Sequence, residues 1–200
     1  MVDFLDAVDS DGGKLEPIPV TLVSGGAQLG SGVNPLTVGG TTVKASATFT
    51  RPADTTPYAS GDLVANSTTA GSVAAMSFTV ARVAGGSGMI RRARIRKSGT
   101  GVTSASFRLH LYTAAPGTVT NGDNGAWSTS GAADYIGAID VTVDKAFTDG
   151  AAGNGVPVTG SEINFDLASG TAIHGLLEAR GAYTPANAEA FTVDLEVLQD

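Results

Sequence analysis

The chain has 200 residues, no cysteine, and eight prolines against 27 glycines; its 42% apolar content is enough to fold without help, and the missing thiols remove disulfide frameworks, thiolate zinc sites and cysteine nucleophiles. A net charge of −7 opposes general nucleic-acid binding, because phosphate repels the summed field. No stretch approaches the roughly 18 apolar residues of a membrane-spanning helix, and Met1-Val2-Asp3-Phe4-Leu5-Asp6 lacks the basic start and apolar core of a signal peptide, so synthesis in a cytoplasm without export by that route is the expectation.

Residues 1–40 differ from the rest. Asp3, Asp6, Asp9, Asp11 and Glu16 oppose only Lys14, followed by Pro17, Pro19, Pro35 and the pairs Gly25-Gly26 and Gly39-Gly40. Residues 2–8 admit a helical turn or two, too short to hold without a partner. The run Ile18-Pro19-Val20-Thr21-Leu22-Val23 reads as an edge strand, where proline is tolerated. Ile18, Val20 and Leu22 are candidate partner contacts. The segment reads as an extended N-terminal arm that packs on something else, with a mobile tail as the alternative.

From residue 41 the apolar period becomes two. Val43, Ala45, Ala47 and Phe49 alternate with polar residues; so do Met76, Phe78 and Val80, then Phe107, Leu109 and Leu111, then Ile163, Phe165 and Leu167, then Phe191, Val193, Leu195 and Val197. Each is the pattern of a strand with one dry face. Tyr135–Val143 and Thr171–Ala179 are strand-like as well, with glycines that signal bulges or close packing. Gly85-Gly86-Ser87-Gly88, Asn121-Gly122-Asp123-Asn124-Gly125 and Gly150-Ala151-Ala152-Gly153-Asn154-Gly155 read as loops. No window in 41–200 has helical spacing, and there is no internal repeat. The expectation is an all-β fold: an antiparallel β-sandwich of jelly-roll or Greek-key type over residues 41–200, preceded by the arm.

Five of the 12 cations fall in Arg91-Arg92-Ala93-Arg94-Ile95-Arg96-Lys97. In a strand, Arg92, Arg94 and Arg96 share one face, and Arg91, Ala93, Ile95 and Lys97 the other. The three arginines are a candidate docking stripe for an acidic partner. The alternatives are a solvated outer face that discourages edge aggregation and a nucleic-acid contact, although no aromatic is interleaved to stack bases.

Catalytic signals are missing. His110 and His174 have no second histidine at metal-ligand spacing, and no Gly-x-Ser-x-Gly elbow frames a nucleophile. Asn121–Gly125 has alternating oxygen ligands, but Ala132 stands where a calcium loop needs glutamate, which favours a turn. Asn66-Ser67-Thr68 matches a glycosylation sequon without an export signal to give it force. Trp127 follows a turn, as a loop anchor or an interface residue. The expectation is a non-enzyme with no cofactor and no metal.

Several segments resemble small structural proteins of tailed bacteriophages: Phe49–Asn66, Phe107–Tyr112, Gly122–Trp127, Tyr135–Asp140, Gly170–Gly175 and Gly181–Pro185. Together they span 49–185. The resemblance implies a virion protein, described for that family as structural and without assigned activity, so it transfers no catalytic or ligand residue. The expected role is a decoration or cement protein that binds the major capsid protein on the outside of the head as a symmetric homo-oligomer, here a trimer, with the arm reaching across subunit joints. The alternatives are a tail, collar or fibre-attachment component, and a carbohydrate- or receptor-binding module. No nucleic-acid or membrane partner is expected.

Overall fold

The computed structural model describes residues 40–200 apart from Thr118, together with the backbone of four residues upstream. Contacts divide the chain into Met1–Val38 and Gly39–Asp200. In the first unit β1 (Val23–Ser24) pairs antiparallel with β2 (Ala27–Gln28). The helical turns expected at residues 2–8 and the candidate contacts Ile18, Val20 and Leu22 lie outside the described residues.

The second unit is all-β. Its strands are β3 (Thr41–Thr50), β4 (Leu63–Val64), β5 (Met76–Thr79), β6 (Ser87–Lys97), β7 (Ser106–Tyr112), β8 (Tyr135–Thr142), β9 (Lys145–Phe147), β10 (Gly150–Gly155), β11 (Ile163–Asp166), β12 (Ala172–Ala179) and β13 (Ala190–Gln199). The one helical element among the described residues is a 3-10 turn at Ala70–Ser72.

Two antiparallel sheets form. The first runs β3-β13-β6-β10-β9, with β11 also on β6; the second runs β4-β12-β7-β8, with β5 also on β12. β10 and β11 divide one edge of β6 between them, at Ala93–Lys97 and Ser87–Ile90. The chain therefore alternates between sheets, with β3-β13-β6-β11 facing β5-β12-β7-β8. This is the strand order of a jelly roll, in which each sheet takes strands from both halves of the chain.

The core lies between the sheets. Phe107, Leu109 and Leu111 from β7, Ile173 and Leu177 from β12, and Phe191, Val193, Leu195 and Val197 from β13 are fully buried. Phe107 meets Phe191 edge-on at 5.4 Å, and Phe49 stacks on Phe191 at 5.5 Å. Each such side chain contributes about 1.5–3 kcal/mol relative to exposure.

Two readings of the sequence are corrected. Gly150–Gly155 is not a loop but β10, paired with β6 over five residues and with β9. Its small residues are required by position. A Cβ on Gly153 would lie 2.0 Å from the carbonyl oxygen of Thr142, and one on Gly155 2.0 Å from that of Asp140. Here the first sheet touches the edge strand of the second, and Pro157 bridges to Ile139 just beyond. A strand that passes against another backbone can carry no side chain on that face. Ser87 and Gly88, also read as loop, begin β6.

The second correction concerns Arg91. The β6–β13 register slips by one: Ile90 opposes Val197 and Arg92 opposes Glu196, so Arg91 is the extra residue of a β-bulge. Its side chain is 51% exposed rather than on the face of the buried Ala93, Ile95 and Lys97. The bulge reverses the phase of the strand, so Ile90 points in and Arg92 out. A second bulge lies where Leu111 opposes Gly137 and Tyr112 opposes Tyr135. Gly137 has φ +145°, open to a residue without Cβ. The glycine in Tyr135–Val143 thus marks the bulge its pattern predicts.

Gly153→Ala is expected to cost about 1–3 kcal/mol, the usual over-packing penalty. Gly101→Ala, at a site with nothing within 4 Å of the new methyl, should leave the urea midpoint unchanged.

Candidate functional site

The outer face of the first sheet carries the charged site. Register builds it in rows: Lys44, Glu196 and Arg92 across β3, β13 and β6; then Ser46, Asp194 and Arg94, extended by Asn154 on β10; then Thr48, Thr192 and Arg96. Arg92, Arg94 and Arg96 do share the outer face. Two carboxylates of β13 lie between them and β3, a juxtaposition that the spacing within β6 does not contain.

Those carboxylates hold the arginines. Arg94 donates through Nε and Nη2 to Asp194 Oδ2 at 3.0 and 2.7 Å, and Arg96 Nε donates to the same oxygen at 3.2 Å. Ser46 donates to Asp194 Oδ1 at 2.5 Å, with Lys44 Nζ 3.8 Å away. Arg92 Nε donates to Glu196 Oε2 at 2.5 Å, and Arg91 lies 4.0 Å from Oε1. Burial opposes ionisation of Asp194, yet the hydrogen bonds from Ser46, Arg94 and Arg96 outweigh it and hold the carboxyl down at about 2.

A surplus of positive charge remains. On β3, β6 and β13 the outer face has five cations (Lys44, Arg91, Arg92, Arg94, Arg96) against two carboxylates (Asp194, Glu196), an excess of three in a chain whose net charge is −7. All five cationic side chains are 43–63% exposed. Arg96 engages Asp194 through Nε alone, leaving guanidinium donors for a partner. Two recesses of about 400 and 380 Å³ flank Arg94, one toward Lys44 and Glu196, the other toward Phe147 and Asp149.

Two buried polar clusters were not evident from the sequence. Arg51 and Asp123 have side chains fully removed from solvent and meet at 2.9 Å. Arg51 Nε donates to Tyr58 OH at 2.8 Å, while Tyr58 OH and the Ala65 amide donate to Asp123 Oδ1 at 2.6 and 2.8 Å. Desolvation pushes the Asp123 carboxyl up against these bonds. The calcium-loop alternative for Asn121–Gly125 fails here, because the carboxylate already has its partners. In the second cluster Lys97 Nζ donates to Glu189 Oε1 at 3.1 Å, and Tyr183 OH donates to Glu189 Oε2 at 2.6 Å. Among the described residues no buried side-chain polar atom lacks a partner.

Part of the outer face of the second sheet is covered by loops. Leu63, Ala65 and Leu176 form a small apolar cluster capped by Val73, Val119 and Trp127. Trp127 stacks on His110 at 4.2 Å, so it anchors the 122–127 turn to the sheet. His110 Nε2 donates to Glu178 Oε2 at 2.8 Å, and Glu178 Oε1 accepts from Arg180 at 3.0 Å. Burial pushes the imidazole down despite Glu178, favouring the neutral ring. Arg108 binds Asp140 through two bonds of 2.6 and 2.7 Å and holds that carboxyl below its usual range. His174, lowered by burial, lies opposite Tyr112 in the same sheet. Asn66 of the sequon closes its own loop, accepting from Ala74 N at 2.8 Å.

No protein-family model matches the chain, and no curated protein or solved structure emerges as a relative. Among the described residues no group of three or more His, Cys, Asp or Glu side chains is placed to hold a metal ion, and no helix is long and apolar enough to cross a membrane.

Two experiments test these networks. Asp123→Asn leaves the buried Arg51 guanidinium with only the partly exposed Asp54 as counter-charge and should cost about 3 kcal/mol in chemical denaturation; replacing the buried trio (R51M/Y58F/D123L) should cost less, since most of the desolvation penalty goes with the charges. Asp194 has a depressed folded pKa. Its contribution is fully present above its ordinary value of 3.8 and is lost as the pH falls through about 2. Asp194→Asn should therefore flatten the loss of stability across that acid window.

Proposed function

We infer that the protein is a structural component of a tailed-phage virion: a decoration or cement protein that binds the outside of the assembled head and bridges neighbouring copies of the major capsid protein. The observation that carries this reading is the resemblance of the segments between Phe49 and Pro185 to small structural virion proteins.

The contacts of those segments give the resemblance physical content. Arg51 and Tyr58 of the first meet Asp123 of the third. His110 of the second stacks on Trp127 of the third and lies 5.9 Å from Tyr135 of the fourth. Arg108 of the second grips Asp140 of the fourth, and Tyr183 of the last packs on Phe107 and Tyr58. The resembling segments are one mutually contacting frame that holds the fold.

Binding then falls to what projects from the frame. The cation-rich face of the first sheet suits an acidic partner surface, and exposed charge complementarity speeds association and sets register more than it deepens affinity. A head offers many copies of one site. An oligomer that bridges several subunits gains by effective concentration, so modest contacts suffice to stabilise a shell. Jelly rolls occur in viral capsid and lectin domains alike, so the fold by itself does not choose between them.

Gold-labelled antibody on purified virions tests the reading: label over the heads supports it, and label confined to tails, or absent, overturns it. With isolated shells, deletion of residues 1–40 is expected to abolish binding while the domain stays folded. R92Q/R96Q, which leaves the Arg94–Asp194 pair in place, should weaken binding and flatten its salt dependence.

A further inference from the structure

A sheet edge is a row of unpaired amides and carbonyls, and most edges among the described residues of this domain are short or covered. β9 is three residues long. β4 and β5 are two and four residues, with the turn through Ala70–Ser72 between them. β8 is met by the glycines of β10 and bridged by Pro157. β3 differs. It runs ten residues in unbroken register against β13, without proline or bulge, and among the described residues no strand hydrogen-bonds to its other edge, although β5 packs near its Ala47–Thr50 end. An open edge of this length is a template for another strand.

The sequence of β3 indicates which strand. Thr42-Val43-Lys44-Ala45-Ser46-Ala47-Thr48-Phe49-Thr50 reads nearly the same in both directions about Ser46. We propose that two copies of this chain pair antiparallel through β3, across a two-fold axis at Ser46. Ser46 then opposes Ser46, Ala45 opposes Ala47, Lys44 opposes Thr48, Val43 opposes Phe49 and Thr42 opposes Thr50. Such an interface is isologous: each contact occurs twice, and the joined sheet continues across the axis.

This register satisfies the side chains better than its neighbours do. Val43 and Phe49, only half-buried in the single protomer, become a β-branched–aromatic cross-strand pair. An axis at Ala45 would instead set Phe49 against Thr41, and an axis at Lys44 would set like charges directly opposite. With the axis at Ser46 the two lysines are four residues apart along the strands, about 13 Å, beyond the screening length of roughly 8 Å. Beside the edge, a recess of about 470 Å³ lined by Ala47, Phe49, Ala74, Ala75 and Met76 lies at the end where the partner's Val43 arrives. The pair is a dimer, not the trimer expected from the sequence, and it stands apart from the virion reading, since it forms without a particle.

The test is the solution mass of the full chain by analytical ultracentrifugation, from micromolar to near-millimolar protein. A concentration-dependent rise from 19.9 kDa to twice that mass is expected. Ser46→Lys sets two lysines face to face at the axis but beside Asp194 within its own chain, so the fold should hold while the dimer weakens at least ten-fold. Thr48 reports the register even if that variant misfolds. Thr48→Glu faces the partner's Lys44 and should tighten the dimer several-fold, the gain vanishing at high salt; Thr48→Lys should weaken it. A monomer at every concentration, a trimer, or a dimer indifferent to both Thr48 changes overturns the proposal.

Discussion

The position of β13 between β3 and β6 is the constraint on which the rest of the domain depends. A strand paired on both edges cannot slip by one residue without exchanging its faces, so its register is set from two sides. Its inward residues, Phe191, Val193, Leu195 and Val197, supply the centre of the core. Its outward residues, Asp194 and Glu196, supply the carboxylates that hold Lys44 and the arginines of β6. One alternation therefore builds the dry side and the charged side together. The bulge at Arg91 is where β6 adjusts to that register, by turning one residue out of the ladder.

The interior is less apolar than its strands suggest. Arg51–Asp123 and Lys97–Glu189 are fully buried ion pairs, each completed by a tyrosine hydroxyl. Desolvating such charges consumes most of their mutual attraction, so their contribution to net stability is small while the cost of breaking them is large. They instead specify which segments meet. Arg51 lies just after β3 and Asp123 in the long β7–β8 connection, and few other arrangements satisfy both groups. The first pair ties the Phe49–Asn66 segment to the Gly122–Trp127 turn.

Much of the fold was legible locally. Strands with branched or aromatic residues at every second position, such as Phe107–Leu111 and Phe191–Val197, announce both their extent and their buried face. β10 does not, because glycine and alanine carry no period and the reason for them is the backbone of β8, outside the strand itself. The candidate site was half legible. Alternation places Arg92, Arg94 and Arg96 together, but their charges are tempered by residues about 100 positions away. Trp127 was readable as an anchor or an interface residue, and the ring of His110 beneath it shows the anchoring contact.

The sequence by itself determined the all-β class, the dry face of most strands and the clustering of cations on β6, because each follows from a side-chain period of two within a short window. Only the tertiary structure decided which sheet each strand joins, which carboxylate meets each arginine, and that Gly150–Gly155 is a strand. Those outcomes depend on groups far apart in the chain, and they are settled by the requirement that every buried charge and every close backbone contact find a compatible neighbour.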